Sequence, residues 1–260
     1  MRSFSTSYII RFSLIVCGVC AVVVSTLAVA LADAQEANKL LDRKRNVLLA
    51  AGELEPGQKV EASFIEERFA RFDAVVVDLQ TGEELSDVDP TTFDQQVEKK
   101  DPENSREAPA NNAGVSRLPN RALVYKALDD SGQIDLLILP VEGYGLWSTL
   151  YGFLALEGDL NTIAGLAYYA HGETPGLGGE VDNPRWRGLW QGRKAFGDDW
   201  RPAISVIKGN AGPVDEDPYR VDGLSGATIT ARGVDGMMKL WLGDLGFGPY
   251  FENLRQGEAA

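Results

Sequence analysis

The chain has 260 residues, 44% of them hydrophobic, which is enough for one substantial folded domain, or two small ones, plus an appendage. Lysine and arginine total 25 against 38 aspartates and glutamates, which gives a formal net charge of −13. This charge argues against nucleic-acid binding, which needs clustered basic side chains, and against peripheral docking on anionic lipid.

The stretch Phe12–Ala32 contains no charged residue. As a helix it would extend about 31 Å, enough to cross the hydrocarbon core of a bilayer. The alternative is a cleaved signal peptide, because Ala32-Asp33-Ala34 resembles a processing site, although the apolar run exceeds the usual signal-peptide core of about 7–15 residues. We therefore predict a short tail over residues 1–11 and a retained transmembrane helix over residues 12–32.

Both cysteines, Cys17 and Cys20, lie inside this apolar run. Their C-x-x-C spacing also occurs in redox pairs and metal sites, but the small neighbouring residues favour a role in helix packing. Because the rest of the chain has no cysteine, we predict neither a disulfide nor a cysteine-ligated iron–sulfur cluster there.

Beyond the span, apolar periodicity predicts helices over Asn38–Ala51, ended by Gly52, and over Ala62–Phe72, then a strand over Ala74–Leu79 closed by a turn at Thr81-Gly82. Residues 85–120 are polar, contain proline and lack periodicity. They are therefore predicted to form a long surface loop or a meandering excursion without regular elements.

The C-terminal half alternates short apolar runs with turn residues, which predicts two hairpins, a late strand and two helices. The hairpins pair Ala122–Leu128 with Ile134–Leu139 and Thr149–Leu156 with Thr162–Tyr169; the late strand is Ala203–Ile207, and the helices are Asn183–Gln191 and Ala227–Leu245. This pattern indicates an α+β fold with a twisted antiparallel sheet and flanking helices. No G-x-G-x-x-G and no P-loop is present, which argues against binding of free NADH.

The segment Asp222–Thr230, of sequence DGLSGATIT, is the strongest candidate for a functional site. Its glycines permit positive φ angles and close approach of another molecule, and successive backbone N–H groups in such a turn can bind an anion such as phosphate. Ser225 and Thr228 place hydroxyls on either side of a Gly-Ala step. The alternative interpretation is a Ser/Thr-rich turn that caps the helix beginning near Thr228.

The run Asp222–Thr228 resembles the D-G-x-S-G-A-T flavinylation motif. Three other segments fit in the expected order: LLDRKRNVLLAAG at residues 40–52, GYGLWS at 143–148 and HGETPGLGG at 171–179. Together they resemble the C subunit of the Na+-translocating NADH:quinone oxidoreductases (the NqrC family) over nearly the whole chain. The resemblance implies FMN joined through its phosphate to the hydroxyl of Thr228, attached by a separate Mg2+-dependent flavin transferase that uses FAD.

The segment HGETPGLGG is the second candidate for contact with the flavin, because its glycines let a flat ring lie against the backbone. We expect Thr174 to hydrogen-bond the flavin edge and Leu177 to pack on its face. The alternative is a tight Gly/Pro turn without a ligand. The full set of predicted cofactor-binding residues is Leu146, Trp147, Glu173, Thr174, Gly176, Leu177, Gly178, Asp222, Ser225, Gly226, Ala227 and Thr228.

Some conspicuous residues carry weaker signals. Trp147 is a flavin contact or, alternatively, a core residue. His171, the only histidine, and Glu173 lack the further ligands that a metal site needs, so no metal is predicted. Arg185 and Arg187 are expected on a solvated face. No catalytic residue is predicted, because electron transfer through a flavin requires positioning and tuned electrostatics, not a base or a nucleophile.

The resemblance implies an electron-carrying subunit, not catalytic alone, of a membrane NADH:ubiquinone oxidoreductase coupled to Na+ export. Its partners are then the A, B, D, E and F subunits of that complex, especially the flavin-bearing B subunit and the iron–sulfur-bearing membrane subunits, together with membrane lipid. The chain is placed in the bacterial inner membrane with one span and its C-terminal domain in the periplasm. Residues 33–121 then form the N-terminal part of that domain, and residues 122–260 the FMN-binding domain.

Two alternatives remain open from the sequence. One is the G subunit of an Rnf-type ferredoxin:NAD+ reductase complex, which shares the threonine motif. The other is a non-enzymatic exported module that binds an anionic ligand at the Ser225–Thr228 turn. Covalent flavin fluorescence in a denaturing gel separates either electron carrier from the module, and co-purifying subunits separate the two complexes.

Overall fold

The computed structural model describes residues 5–257, and the chain divides into two compact units, Met1–Arg43 and Lys44–Ala260. The first unit contains helix α1, Thr6–Ala30, which begins at the N-cap Ser5. By length and composition α1 is able to cross a membrane. It begins earlier than the predicted span of residues 12–32 and ends at Ala30, with Leu31 as its C-cap. Cys17 and Cys20 are exposed on α1, and both are free thiols.

Helix α2, Ala32–Ala50, begins earlier than the predicted Asn38 and ends as predicted beside Gly52. Gly52 has a φ of +75°, and the following Glu53 N–H donates to the Leu48 carbonyl at 2.9 Å. A glycine in the left-handed conformation, followed by an N–H that donates to a carbonyl five residues earlier, is a common ending of a helix. Helix α3, Ala62–Phe69, is shorter than predicted, because Phe72 already belongs to the first strand.

Five antiparallel strands form the main sheet, which confirms the predicted α+β class. They are β1 Phe72–Asp78, β4 Arg121–Leu128, β5 Ile134–Tyr144, β6 Thr149–Glu157 and β7 Ile163–Ala170, in the order β1-β4-β5-β6-β7. Both predicted hairpins are present, and β5 continues beyond the predicted Leu139 to Tyr144. Because β1 pairs with β4, the sheet is continuous across the proposed division between residues 121 and 122.

The segment 85–120 was predicted to lack regular elements, and that prediction is wrong. It contains α4, Gln95–Lys100, and a small antiparallel pair, β2 Ser105–Glu107 with β3 Arg117–Pro119. The helix is fixed by polar contacts: Asp94 caps it, and Gln96 and Lys99 both bind the buried Glu142 of β5. Elements held by such contacts need no apolar periodicity, so the sequence did not reveal them.

Helix α3 contacts the sheet through Phe69. The ring of Phe69 lies edge-on to Tyr125 with 5.5 Å between the ring centroids, and Tyr125 meets Phe153 in the same manner at 6.0 Å. Burial of these large rings supplies a substantial part of the stabilisation of the sheet, since each aromatic side chain removes about 150–250 Å² from water.

Helix α6, Thr228–Leu242, packs against β5. A Cβ on Gly143 would lie 2.8 Å from the Cβ of Met237, and a Cβ on Gly233 would lie 2.1 Å from the Tyr144 carbonyl oxygen. Trp241 also donates its indole N–H to the Glu142 carbonyl at 2.7 Å. Helix and strand thus meet at two glycines, which fixes α6 against the end of β5. Helix α7, Gly248–Gln256, follows.

The remaining elements are short. Helix α5, Pro184–Gly188, is capped by Asn183 and ends before the predicted Gln191. The predicted strand 203–207 is reduced to β8, Ser205–Val206, which pairs in parallel with the unpredicted β9, Arg220–Val221. Strand β9 ends directly before the segment Asp222–Thr230.

Candidate functional site

The parallel pair β8–β9 brings the loop after β8 against the start of the segment Asp222–Thr230. Ile207 N–H donates to the Val221 carbonyl at 3.0 Å, and Gly223 N–H donates to the Gly209 carbonyl at 2.9 Å. A Cβ on Gly223 would lie 2.3 Å from the Ile207 carbonyl oxygen, so only glycine allows this approach. Two backbones therefore run side by side at the site.

Thr228 is the first residue of α6, and the N-cap Ala227 makes no side-chain capping bond. Gly226 turns the chain with a φ of +75°. Within residues 5–257 neither the Ser225 nor the Thr228 hydroxyl has a hydrogen-bond partner, and both residues are exposed. The alternative that these hydroxyls cap the helix is therefore wrong. Both are free to react or to bind beside the positive end of the α6 dipole.

A cavity of about 450 Å³ opens beside Thr228. This volume lies in the range of small-molecule sites, roughly 300–1,000 Å³. Two basic residues, Lys208 and Arg232, contribute to its wall. The rest of the lining mixes apolar, small and polar residues: Val206, Ile207, Gly209, Asn210, Gly223, Leu224, Ser225, Gly226, Thr228 and Ala231. Exposed hydroxyls, cations and a helix N-terminus suit a phosphate-bearing cofactor such as FMN.

Glu173 is the polar centre that joins the candidate segments. Its side chain is 6% exposed, and its carboxylate accepts the backbone N–H groups of Leu146 at 3.2 Å, Trp147 at 2.8 Å and Ser148 at 3.2 Å. The buried hydroxyl of Thr230 donates to the same carboxylate at 2.7 Å. One side chain thus connects the turn after β5, the segment 171–179 and helix α6.

These hydrogen bonds also set the charge of Glu173. Burial raises the pKa of its carboxyl group, but the bonds from Thr230, Trp147, Leu146 and Ser148 lower it by more, so the pKa lies below its ordinary value. Glu173 is therefore an ionised group that positions backbone, and it is not a candidate proton donor at neutral pH.

Two glycines allow the backbone to close around this carboxylate. A Cβ on Gly145 would lie 2.6 Å from one Glu173 oxygen, and a Cβ on Gly178 would lie 2.4 Å from the other. Neither position accommodates a side chain without displacing Glu173. Gly178 is thus buried against the Glu173 carboxylate. Gly176, by contrast, is exposed and has a φ of +77° in the turn.

Four apolar side chains of the candidate segments are exposed. Trp147 is 65% exposed, Leu177 44% and Leu146 41%, and Ile229 beside Thr228 is 54% exposed. The alternative that Trp147 fills the core is therefore wrong. The methyl group Cδ2 of Leu177 would lie 3.0 Å from a Cβ on Gly226, which brings the segment 171–179 into contact with the threonine motif. We call Leu146, Trp147, Leu177 and Ile229 the apolar rim.

Other predicted residues lie nearby in different roles. Asp222 accepts the Ala211 N–H at 2.8 Å, and its carbonyl accepts the Trp186 indole N–H at 2.8 Å, so Asp222 holds the surrounding loop and does not line the cavity. Thr174 is exposed, and its carbonyl accepts the Leu177 and Gly179 N–H groups. Its hydroxyl is therefore available to a ligand.

His171 supports the turn. Its Nε2 lies 2.7 Å from an Asp182 carboxylate oxygen, and its Nδ1 accepts the Glu173 N–H at 3.2 Å. In the part of the chain that the structure describes, no three His, Cys, Asp or Glu side chains are grouped closely enough to hold a metal. The expectation of a solvated Arg187 is wrong: its Nε donates to the Leu166 carbonyl at 2.7 Å, and burial lowers its pKa. Arg185 is exposed as expected.

The predicted set of cofactor-binding residues did not include Lys208, Arg232, Ile229 or Thr230, although the last two lie in the candidate segment Asp222–Thr230. Arg232 follows Thr228 by four residues on a helix, a spacing that places both side chains on one face and could have identified it. The positions of Thr230 and Lys208 depend on tertiary contacts. Thr230 binds Glu173, which lies 57 positions away in the chain, and the β8–β9 pair brings Lys208 to the site.

Comparison with known proteins gives consistent matches. The family model described as FMN-binding domain matches residues 145–243. The C subunits of Na(+)-translocating NADH-quinone reductases are similar over most of their length: that of Pseudomonas aeruginosa is 47% identical over 98% of both chains, and that of Yersinia pestis is 46% identical over 94% of this chain and 91% of the relative.

Solved structures agree with the fold. The crystal structure of Shewanella oneidensis NqrC covers 86% of this chain and 99% of its own, with 37% identity and a TM-score of 0.75. The crystal structure of the corresponding C subunit from Parabacteroides distasonis superposes with a TM-score of 0.64 at 26% identity, and covers 86% of this chain and 96% of its own.

Proposed function

Since this chain belongs to the NqrC family, the C subunits of the Na(+)-translocating NADH-quinone reductases, we propose that it carries FMN covalently on Thr228 and transfers electrons within that membrane complex. Membership in this family decides against both alternatives, the Rnf-type G subunit and the exported anion-binding module. The observation that supports attachment at Thr228 is its exposed, unbonded hydroxyl at the edge of a cavity that contains Lys208 and Arg232.

FMN supplies the ability to accept and release electrons, and the chain positions it. The phosphate of the cofactor, bonded to Thr228, lies at the N-terminus of α6, where unpaired backbone N–H groups and the helix dipole favour an anion. The apolar rim offers surface for the isoalloxazine ring, and Thr174 offers a hydroxyl for its polar edge. Glu173 keeps the rim in place because it binds the backbone of Leu146 and Trp147.

Attachment needs help from outside the chain. A threonine hydroxyl is a weak nucleophile without an adjacent general base. The only histidine is engaged by Asp182 and Glu173, and within residues 5–257 no side chain hydrogen-bonds the Thr228 hydroxyl. The family resemblance implies a separate Mg2+-dependent flavin transferase with FAD as donor. In that step the Thr228 hydroxyl attacks the flavin-side phosphorus of FAD, its proton passes to a base of the transferase, and AMP leaves.

Helix α1 anchors the chain in the bacterial inner membrane, with the N-terminus of the chain in the cytoplasm and the C-terminal domain in the periplasm. Within that domain the flavin is carried by the segment 122–260. Electrons then pass between the flavin and its partners in the complex, in particular the flavin-bearing B subunit and an iron–sulfur-bearing membrane protein. Na+ export depends on those partners, since a single apolar helix offers no ion pathway by itself.

The test is the mass of the proteolytic peptide that contains position 228, prepared from cells that possess the flavin transferase. We expect one added FMN moiety on the wild-type peptide. Thr228→Ala should fold normally but show no flavin fluorescence in a denaturing gel. Ser225→Ala, which removes the nearby Ser225 hydroxyl and keeps Thr228, should retain most of the fluorescence. An unmodified wild-type peptide, or a fluorescent Thr228→Ala band, would refute covalent attachment at this residue.

A further inference from the structure

Lys208 and Arg232 reach the cavity beside Thr228 from two different elements. Lys208 lies in the loop after β8, between Ile207 and Gly209. Ile207 donates its N–H to Val221 of β9, and the Gly209 carbonyl accepts the N–H of Gly223 in the threonine motif. Arg232 lies on α6, four residues after Thr228. On a helix this spacing puts the two Cβ atoms about 5–6 Å apart on one face. Both cations are therefore within side-chain reach of a group bonded to Thr228.

Neither cation is neutralised by the protein. Among residues 5–257 no carboxylate lies within ion-pairing distance of Lys208 or Arg232. The acidic neighbours have other partners. Asp222 accepts the Ala211 N–H, and Asp235 pairs with Lys239 and accepts a hydrogen bond from Ser205. Two unpaired cations at one cavity are informative in a chain with a formal net charge of −13.

We propose that Lys208 and Arg232 form a two-sided cation site for the phosphate of the flavin tether and thereby hold the flavin against the protein. This inference rests on the proposed attachment at Thr228. A phosphate bonded to both threonine and ribityl carries one negative charge at neutral pH, and the two cations accommodate it in different ways. The planar guanidinium of Arg232 donates two parallel hydrogen bonds, whereas Lys208 supplies a compact point charge.

The arrangement gives the two residues a positioning role. The tether joins Thr228 to the ring through many rotatable bonds, so the covalent bond alone does not fix the ring. When both cations bind the phosphate, the bonds between Thr228 and the phosphate no longer rotate freely. Only the ribityl chain between the phosphate and the ring then remains mobile. The ring is then kept near the apolar rim.

The test compares the flavinylated, detergent-extracted full chain with the double variant Lys208→Gln/Arg232→Gln. The control, Lys59→Gln/Lys100→Gln, removes the same charge from exposed positions outside the cavity. Intact mass gives the flavin content of each protein. Flavin fluorescence anisotropy and quenching by neutral acrylamide report how firmly the ring is held, at low and high NaCl.

We expect equal flavin content in all three proteins. In the double variant the equilibrium between held and released flavin should shift towards release by about 1.4- to fivefold per charge removed, the range for exposed ion pairs. Anisotropy should fall, quenching should rise, and the NaCl dependence should weaken. The control should behave as wild type. Arg232→Lys should retain more of the anisotropy than Arg232→Gln, because it keeps the charge and loses only the paired donors.

Unchanged anisotropy and quenching in the double variant at full flavin content would overturn the proposal. So would a loss of flavin content with normal anisotropy in the modified fraction, since that result assigns the pair to recognition by the flavin transferase. A wild-type chain without flavin refutes the attachment at Thr228 instead, so the two failures are distinguishable.

Discussion

The Thr230 hydroxyl donates a buried hydrogen bond of 2.7 Å to the carboxylate of Glu173. This bond joins two segments that are 57 residues apart in the chain, and the same carboxylate also binds three backbone N–H groups of the turn after β5. Three separated segments thus depend on one ionised side chain. The flavin-binding geometry that we propose depends on the integrity of this centre.

Glu173→Gln should destabilise the domain. The amide keeps the size of the side chain but replaces one acceptor oxygen with a donor, which then faces N–H groups or the Thr230 hydroxyl. Because hydrogen bonds to charged groups contribute about 1.5–3 kcal/mol, we expect a loss of that order in the free energy of unfolding by urea. The control is Glu67→Gln on the exposed side of α3, where we expect a change within about 0.5 kcal/mol. Equal stability of both variants would contradict the role of Glu173.

Thr230→Val should remove a single bond to Glu173 at nearly constant volume. The expected cost is about 1–2 kcal/mol, because the carboxylate keeps its three backbone donors. In a double-mutant cycle with Glu173→Gln the two effects should not add, since both variants disturb the same bond. Additive effects would show that the contact contributes nothing to stability.

The stability that Glu173 contributes should depend on pH. Its pKa is lower in the folded protein than in the unfolded chain, so its contribution is complete above the unfolded value of about 4.3. The contribution is lost as the pH falls through the folded pKa. We therefore expect the difference in unfolding free energy between wild type and Glu173→Gln to be constant from pH 6 to 8. Because protonation is linked to folding, the same difference should shrink below about pH 4. A difference that grows in acid would contradict the assigned direction.

Gly226→Ala should strain the threonine motif. The residue has a φ of +75°, and the new Cβ would lie 3.0 Å from the Leu177 methyl group. We expect a loss of about 1–2 kcal/mol in the free energy of unfolding from the left-handed backbone alone. The matched control is Gly188→Ala, where nothing lies within 4 Å and no positive φ occurs. That variant should be neutral or slightly stabilising.

Trp147→Ala and Leu177→Ala should affect the flavin more than the fold. Both side chains are largely exposed, so their removal should change the free energy of unfolding by less than about 1 kcal/mol. We expect the bound flavin to become more accessible to acrylamide and its absorption bands to shift. Leu128→Ala, an exposed position on the β4–β5 hairpin, serves as the control. Unaltered flavin spectra in both rim variants would remove these two residues from the site.

Much of the fold was predictable because its signals are local. Alternating apolar residues and turn residues marked both hairpins of the main sheet, and Gly52 marked the end of α2. The segment 85–120 escaped prediction because α4 depends on Glu142, a buried carboxylate more than forty positions later in the chain. A helix of this kind has no apolar stripe by which to recognise it.

The sequence by itself determined the apolar span and the threonine motif, because each is a property of contiguous residues. It also grouped the four family segments and predicted Glu173 as a flavin contact, which stays a prediction. Tertiary structure decided that Glu173 holds the surrounding backbone, that Trp147 is exposed, and that Lys208 lies at the cavity. These outcomes depend on strand pairing and helix packing between distant residues, and such contacts form only when the whole domain is folded.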